Sequence, residues 1–268
     1  MPHKQIYTIF KQGSRTYFYS SLFFPKDVRE DVFTLYSFVR TADDLVDQIP
    51  PQKSAFLAFK NRAKQALLGK HTGDLIIDSF AALFYKHTFQ SQWIESFLQS
   101  MEADLTIKYY QNLDQIKQYI YGSAEVVGLM MAKILGLSPK ANLSAQYLGR
   151  AMQYINFIRD IAEDQHLGRT YLPQEDIERF GLKSLDFMHI KKQPQEFTRF
   201  ISFELSRYQH WQKKASSGFI YIPKRYLIPI KTASDMYNWT AWQIARNPIS
   251  IYEHKSKPSV ARIMMTIL

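Results

Sequence analysis

The chain has 268 residues, 46% of them apolar and 15% aromatic, which supports a sizeable buried core and excludes a disordered chain. Cysteine is absent, so disulfides, thiol catalysis and thiolate metal sites are excluded, and a reducing, cytoplasmic setting is expected. The formal charge of +10 favours polyanions, whether nucleic acid, anionic lipid headgroups or diphosphates, without choosing among them.

Helical periodicity runs through almost the whole chain. Lys4, Lys11 and Arg15 interrupt every apolar run near the start, so no signal peptide is expected there. Tyr17, Ser20 and Ser21 fall on one short helix. Pro25 and Asp27 open the next, which carries Val28, Phe33, Tyr36, Phe38 and Val39 as far as Asp47, where Pro50 and Pro51 stop it. Further helices are predicted over 52–68, 75–88, 91–107, 112–136, 140–165, 195–216 and 226–246, punctuated by Gly69, Gly73, Gly136, Pro139 and Gly168. The most apolar stretch, 126–137, carries Lys133 and is too short to span a bilayer, as is the end of the chain over 261–268. Strand alternation, repeats and linkers are absent. The expected architecture is all-α, a single domain over 1–268.

Two acidic clusters stand out. Arg40, Asp43, Asp44 and Asp47 close the helix that begins at Pro25; Gln153, Asn156, Arg159, Asp160, Glu163 and Asp164 lie within 140–165. In each, carboxylates four residues apart share a helix face, a repulsion of about 0.2–0.5 kcal/mol per pair. Gln153, Asn156, Asp160 and Asp164, spaced 3, 4 and 4, form one polar stripe. Such oxygen ligands suit Mg²⁺, with Mn²⁺ as the alternative ion, held by one or two carboxylates plus substrate phosphates. Arg159 and Arg169 would add contacts to phosphate oxygens. For either cluster alone, the plain alternative is a solvated helix face with local ion pairs. Together they predict a clamp on an allylic diphosphate, with Phe, Tyr and Met lining a dry cavity suited to a carbocation. Seven His without a close ligand-spaced pair argue against zinc.

Three ordered stretches resemble the squalene/phytoene synthase family: Ser14 to Asp47, Tyr119 to Gly128, and Gln153 to Asp164 with Gly168, Arg169, Tyr171, Leu172 and Pro173 following. The resemblance implies an isoprenoid-synthase helical bundle and head-to-head condensation of two prenyl diphosphates through a cyclopropylcarbinyl diphosphate. By position, Asp43, Asp47, Asp160 and Asp164 would bind the metal. Ser14, Arg15, Thr16, Arg40, Asn156 and Arg159 would serve the diphosphates or order the metal ligands, Asn156 being itself a candidate ligand. Gln153, Tyr36, Tyr119, Tyr171 and Tyr252 would face the reacting carbons, and Tyr17, Ser21 and Val127 would meet the prenyl tails. Glu125 departs from the family's usual Ala-Gly, and an outward or ion-paired carboxylate is expected. Tyr17 replaces a common Phe.

Small residues at Ser20 and Ser21, where C30-type relatives can carry a bulky aromatic, favour geranylgeranyl diphosphate and phytoene over squalene or dehydrosqualene from farnesyl diphosphate. The plain alternative for both serines is a bond to their own helix carbonyls. No Gly-rich dinucleotide fingerprint appears, and the phytoene reading needs no NADPH. Three other readings compete: a head-to-tail elongase, from whose DDxxD the second motif departs; a non-catalytic assembly factor, disfavoured because all four Asp are present; and a nucleic-acid binder, disfavoured because Lys and Arg are scattered apart from Lys255 and Lys257. Those two lysines would close the site over diphosphate or meet anionic lipid, so peripheral membrane association is an expectation. The expected assembly is a monomer or weak dimer.

Overall fold

The computed structural model describes residues 3–265. In chain order the helices are α1 (Lys4–Gly13), α2 (Arg15–Ser21), α3 (Lys26–Asp47), α4 (Lys53–Ala66) and α5 (Leu75–Lys86). Then come α6 (Ser91–Ala103), α7 (Leu113–Ile120), α8 (Val126–Ile134), α9 (Asn142–Arg159) and α10 (Ile161–His166). The last are α11 (Gln174–Arg179), α12 (Phe187–Ile190), α13 (Pro194–Ser216), α14 (Lys224–Arg246) and α15 (Val260–Met265). Among the described residues there is no strand, only an isolated bridge between Tyr109 and Thr170. The all-α expectation holds.

Local chemistry explains most boundaries. Asp74 accepts from the amides of Ile76 and Ile77 and starts α5; Ser14 accepts from the Tyr17 amide and starts α2. Two predicted helices are interrupted. The stretch predicted over 112–136 widens into a π-turn at Tyr121–Glu125, between α7 and α8. At Gly122 an added Cβ would lie 2.2 Å from the Ser96 carbonyl oxygen, so α6 approaches there as only glycine permits. The stretch predicted over 140–165 breaks at Asp160 (φ −99°, ψ 12°). The bonds from the Asp160 amide to the Asn156 carbonyl and from the Asp164 amide to the Asp160 carbonyl survive the break, so the acidic stripe stays nearly in line. The short helices α1, α11, α12 and α15 lack the length for a clear periodic signal.

Two apolar clusters form the core. The first, from α1 to α8, is built on phenylalanines; Phe38 and Phe80 stack with centroids 3.8 Å apart. The second joins α9 to α13 and α14 through Tyr154, Ile158, Phe197, Tyr208 and Ile244. Each buried aromatic contributes about 1.5–3 kcal/mol by leaving water. Tyr17 on α2 packs against both clusters. Between them lies a cavity of about 270 Å³, walled by side chains from both. No helix among the described residues is long and apolar enough to cross a membrane. Of the terminal stretch 261–268, residues 266–268 lie outside the described residues.

Candidate active site

α3 and α9 both point their C-terminal ends at the mouth of the cavity, and the two acidic clusters stand there. On α3, Arg40 holds Asp43 at 2.8 Å and Asp44 at 2.5 Å. On the other side, Arg159 grips Asp160 in a two-point pair at 2.8 and 2.5 Å, and Lys255 reaches Asp160 at 3.0 Å and also contacts Glu163. Arg169 ties the clusters together. Its guanidinium bonds Asp47 at 2.6 Å and the Val46 carbonyl at 2.6 Å, while its own amide donates to the Asp164 carbonyl at 2.8 Å. Only 3% exposed, Arg169 is therefore a strut between the motifs, in place of the open phosphate ligand expected from sequence.

The electrostatics of the mouth are asymmetric. Burial and the neighbouring Asp47 push the Asp43 carboxyl up to about 7, although a third of its side chain remains open to solvent. Burial together with Asp160, Asp47 and Glu163 pushes Asp164 well up. Asp160 is also penalised by burial, but Arg159 and Lys255 outweigh this and hold it below its ordinary value. Asp43, despite Arg40, and Asp164 are thus under-compensated, while Asp160 is fully paired.

The group that fits is a cation shared with a polyanion. No three acidic or histidine side chains among the described residues converge as a chelate, so the protein by itself supplies an incomplete ligand set. The side-chain amide oxygen of Asn156 (Oδ1), buried on the cavity wall beside Arg159 and Asp160, has no hydrogen-bond partner. An orphan acceptor and repelled carboxylates suit Mg²⁺ completed by phosphate oxygens.

Of the predicted contacts, Tyr17, Ser21, Tyr36, Val127, Gln153 and Asn156 line the cavity. Tyr36 stacks on Phe10 with centroids 4.0 Å apart, fixing its ring at the mouth. Ser20 and Ser21 line the wall while bonding the Tyr17 and Phe18 carbonyls at 3.2 and 2.7 Å, so both readings of these serines apply. Six predicted residues stand off the cavity wall. Tyr119 and Tyr171 are not among the cavity-lining residues; their hydroxyls donate to the two oxygens of Asp104, each at 2.7 Å, behind the first cluster. Tyr252 donates to the Leu185 carbonyl at 2.6 Å and packs on Phe187 and Phe197, away from the cavity wall. The Ser14 hydroxyl is occupied in capping α2. Arg15 is exposed and Thr16 half-buried on the first turn of α2, neither in the cavity wall. Glu125 is ion-paired, 2.6 Å from Arg150, though buried rather than outward.

Sequence reading missed Asp104 and Tyr237. Asp104, 2% exposed, sits under the first cluster beside Arg169; burial raises its carboxyl to about 6 against the pull of the Tyr171 and Tyr119 hydroxyls. It follows α6 without a partner in its own motif, so no local signal marks it. Tyr237, buried on α14, lies with its ring 5.7 Å from the Tyr17 ring; burial raises its hydroxyl, partly offset first by Arg159 and then by the nearby Tyr17 and Asn156. It is one tyrosine among 17, and only the approach of α14 to α2 and α9 singles it out.

The comparisons with known proteins bear on the family and the fold. The squalene/phytoene synthase family profile matches residues 10–263. A 15-cis-phytoene synthase of Pantoea ananas is 30% identical over 239 residues, spanning 84% of this chain and 76% of that protein. A solved dehydrosqualene synthase in complex with ligand superposes with a TM-score of 0.86 at 21% identity, covering 98% of this chain and 92% of that one. Squalene synthase HpnC from Alicyclobacillus acidocaldarius gives 0.80 at 23%, covering 90% and 92%. These two likenesses speak to the fold, and the sequence match to the family. The chain belongs to the squalene/phytoene synthase family, whose members are prenyltransferases acting on prenyl diphosphates.

Proposed function

We propose that the protein condenses two molecules of geranylgeranyl diphosphate head to head, giving phytoene through a cyclopropylcarbinyl diphosphate. The observation that carries the reading is the placement of two acidic clusters, bridged by Arg169, at the mouth of an apolar cavity. Bound Mg²⁺ would offset the diphosphate charge and make it a leaving group. Asp43, Asp47, Asp160, Asp164 and Asn156 would hold the ion. Arg40, Arg159 and Lys255 each now pair with a carboxylate of the mouth, so an incoming diphosphate can exchange for those contacts.

Within the cavity the chain's own groups position and protect. Tyr17 and Tyr36 line the inner side of the mouth, with Tyr237 packed against Tyr17, and the π-faces of the two lining rings can stabilise an allylic cation. Burial raises all three hydroxyls, so they stay protonated and none offers a phenolate to trap the cation. Phe10, Leu35, Val127 and Met152 keep water from the reacting carbons. The choice of C20 substrate rests on the hydroxymethyl groups of Ser20 and Ser21 at the wall, and is in keeping with the 15-cis-phytoene synthase relative.

The test is incubation of the purified protein with Mg²⁺ and either farnesyl or geranylgeranyl diphosphate, with and without NADPH, followed by hydrocarbon analysis. A C40 triene-centred product from geranylgeranyl diphosphate without NADPH is expected. A C30 product alone refutes the chain-length assignment, and no hydrocarbon from any mixture refutes the condensation.

A further inference from the structure

The end of the cavity remote from the acidic mouth has a surface of its own. The wall there is formed by Ala141, Ser144, Phe219, Ile222 and Pro229. The 3₁₀ turn Ser217–Tyr221 crosses it, seated on α9 where an added Cβ on Gly218 would lie 2.2 Å from the Ser144 Cβ. Phe219 and Ile222 face the cavity, while their neighbours turn outward: Ile220 is 81% exposed and Tyr221 39%. Leu143, one residue from the contact at Ser144, is 63% exposed; Ile228, one turn beyond Lys224 on α14, is 49% exposed. A large apolar residue left in water next to a cavity wall is a marked feature, whereas scattered ones are ordinary.

The charge around it is one-sided. Residues 126–159 and 205–234, which build most of this end, contain no Asp or Glu; the start of α3, which reaches it through Phe24 against Tyr226, brings Asp27, Glu30 and Asp31 beside Lys26 and Arg29, so the face as a whole stays basic. Lys140, Lys213 and Lys224 are exposed and have no ion-pair partner among the described residues. The acidic groups of the mouth lie at the other end of α9; from Leu143 to Asp160 the helical rise is about 25 Å. An anionic surface would therefore attract one end of the molecule and repel the other.

We propose that the surface around Leu143, Ile220, Tyr221 and Ile228 docks on an anionic lipid bilayer. Ile220 and Leu143 enter the headgroup–acyl boundary, and Lys140, Lys213 and Lys224 engage lipid phosphates. The occupant follows from charge complementarity and from continuity with the cavity: the same short turn that shows Ile220 to the outside shows Phe219 to the inside. The acidic mouth is left in water. Docking stands on the surface alone; its use as a route between cavity and bilayer for an apolar hydrocarbon rests on the condensation reading.

Vesicle binding tests this without turnover, so its result is independent of the reaction. The full chain is sedimented with sucrose-loaded vesicles of phosphatidylcholine alone or with about one third phosphatidylglycerol. Binding is expected to the anionic vesicles, much weaker to neutral ones, and diminished in about 0.5 M NaCl. Each lysine at such a surface is worth about fivefold in partition, so Lys213→Glu with Lys224→Glu should lower binding more than about twentyfold. Leu143→Ser with Ile220→Ser should lower it about tenfold, and Leu68→Ser, a change at an 80% exposed leucine at the end of α4, should not alter it. The two double variants change exposed side chains of different chemistry, and circular dichroism confirms the fold of each. The proposal is overturned if the wild type ignores anionic vesicles, or if both folded double variants bind like Leu68→Ser. It is equally overturned if the apolar variant converts a dimer to monomer with vesicle binding unchanged, since a second copy would then cover this face.

Discussion

At the residue scale the site depends on which carboxylates are paired. Asp43→Asn and Asp160→Asn should each lower kcat by at least about a thousandfold, because each removes a charge that the ion and diphosphate need. Their stabilities should diverge. Asp43 is repelled by Asp47 in a buried setting, so its amide should melt at or above the wild-type temperature near pH 8. Asp160→Asn loses a two-point bond to Arg159 and should melt lower. Thermal melts of the purified variants without substrate check both. Filling the wall with Ser21→Phe should shift the product from C40 toward C30 when the enzyme is offered both substrates, read by mass spectrometry. Unchanged C40 output would place the length determinant elsewhere on the wall. The sequence made Asp43, Asp47, Asp160 and Asp164 legible because each belongs to a motif with i, i+4 spacing. Asp104 and Tyr237 were illegible because their partners lie on other helices.

At the scale of elements, the join between α9, α11 and α13 is a buried polar node. Glu204 on α13 accepts from Tyr154 of α9 and Arg207 of its own helix, while Arg207 also meets Asp176 of α11 at 2.9 Å. One guanidinium serving two carboxylates leaves Glu204 under-compensated, and burial pushes it up to about 7. The folded state therefore binds a proton that the unfolded chain, at about 4.5, has released. This part of the stability is fully present below about pH 4.5 and is lost as pH rises through 7, on the order of 2–3 kcal/mol. Glu204→Gln should flatten the decline of melting temperature across that window. A second element-level prediction concerns Gly149 on α9, where an added Cβ would lie 2.4 Å from the Ala124 carbonyl oxygen of the π-turn. Gly149→Ala should cost about 2–3 kcal/mol in chemical denaturation, because backbone rather than a flexible side chain must give way. The periodicity gave the long helices to within a few residues. It could not show the π-turn or the break at Asp160, since both answer to neighbours: the Ser96 carbonyl against Gly122, and the α10 contacts beyond the break.

Across the whole molecule, the proposed reading with an incomplete protein ligand set would make metal and diphosphate binding mutually dependent. In thermal melts, Mg²⁺ alone should shift the midpoint little, while Mg²⁺ with inorganic diphosphate should raise it by several degrees more than the sum of the separate effects. Additive shifts would mean that one of the two binds without the other. The same long-range view explains why the basic charge looked scattered along the chain. Lys140 precedes α9, Lys213 lies in the last turn of α13 and Lys224 opens α14, elements linked by the 3₁₀ turn whose Gly218 meets Ser144 at the start of α9.

What the sequence determined by itself is whatever repeats along a helix. Apolar spacing settled the all-α class, and carboxylate spacing located the two acidic clusters, because a helix converts sequence distance into a fixed direction. Ordered motifs then identified the family. Tertiary structure alone decided what those directions meet. It made Arg169 a strut rather than a phosphate ligand, drew Tyr119 and Tyr171 to Asp104, took Tyr252 off the cavity wall, and set a basic, apolar surface at the end opposite the acidic mouth. The reason is physical: a buried polar group takes the nearest partner that satisfies it, and that partner is fixed by how helices pack, not by its distance along the chain.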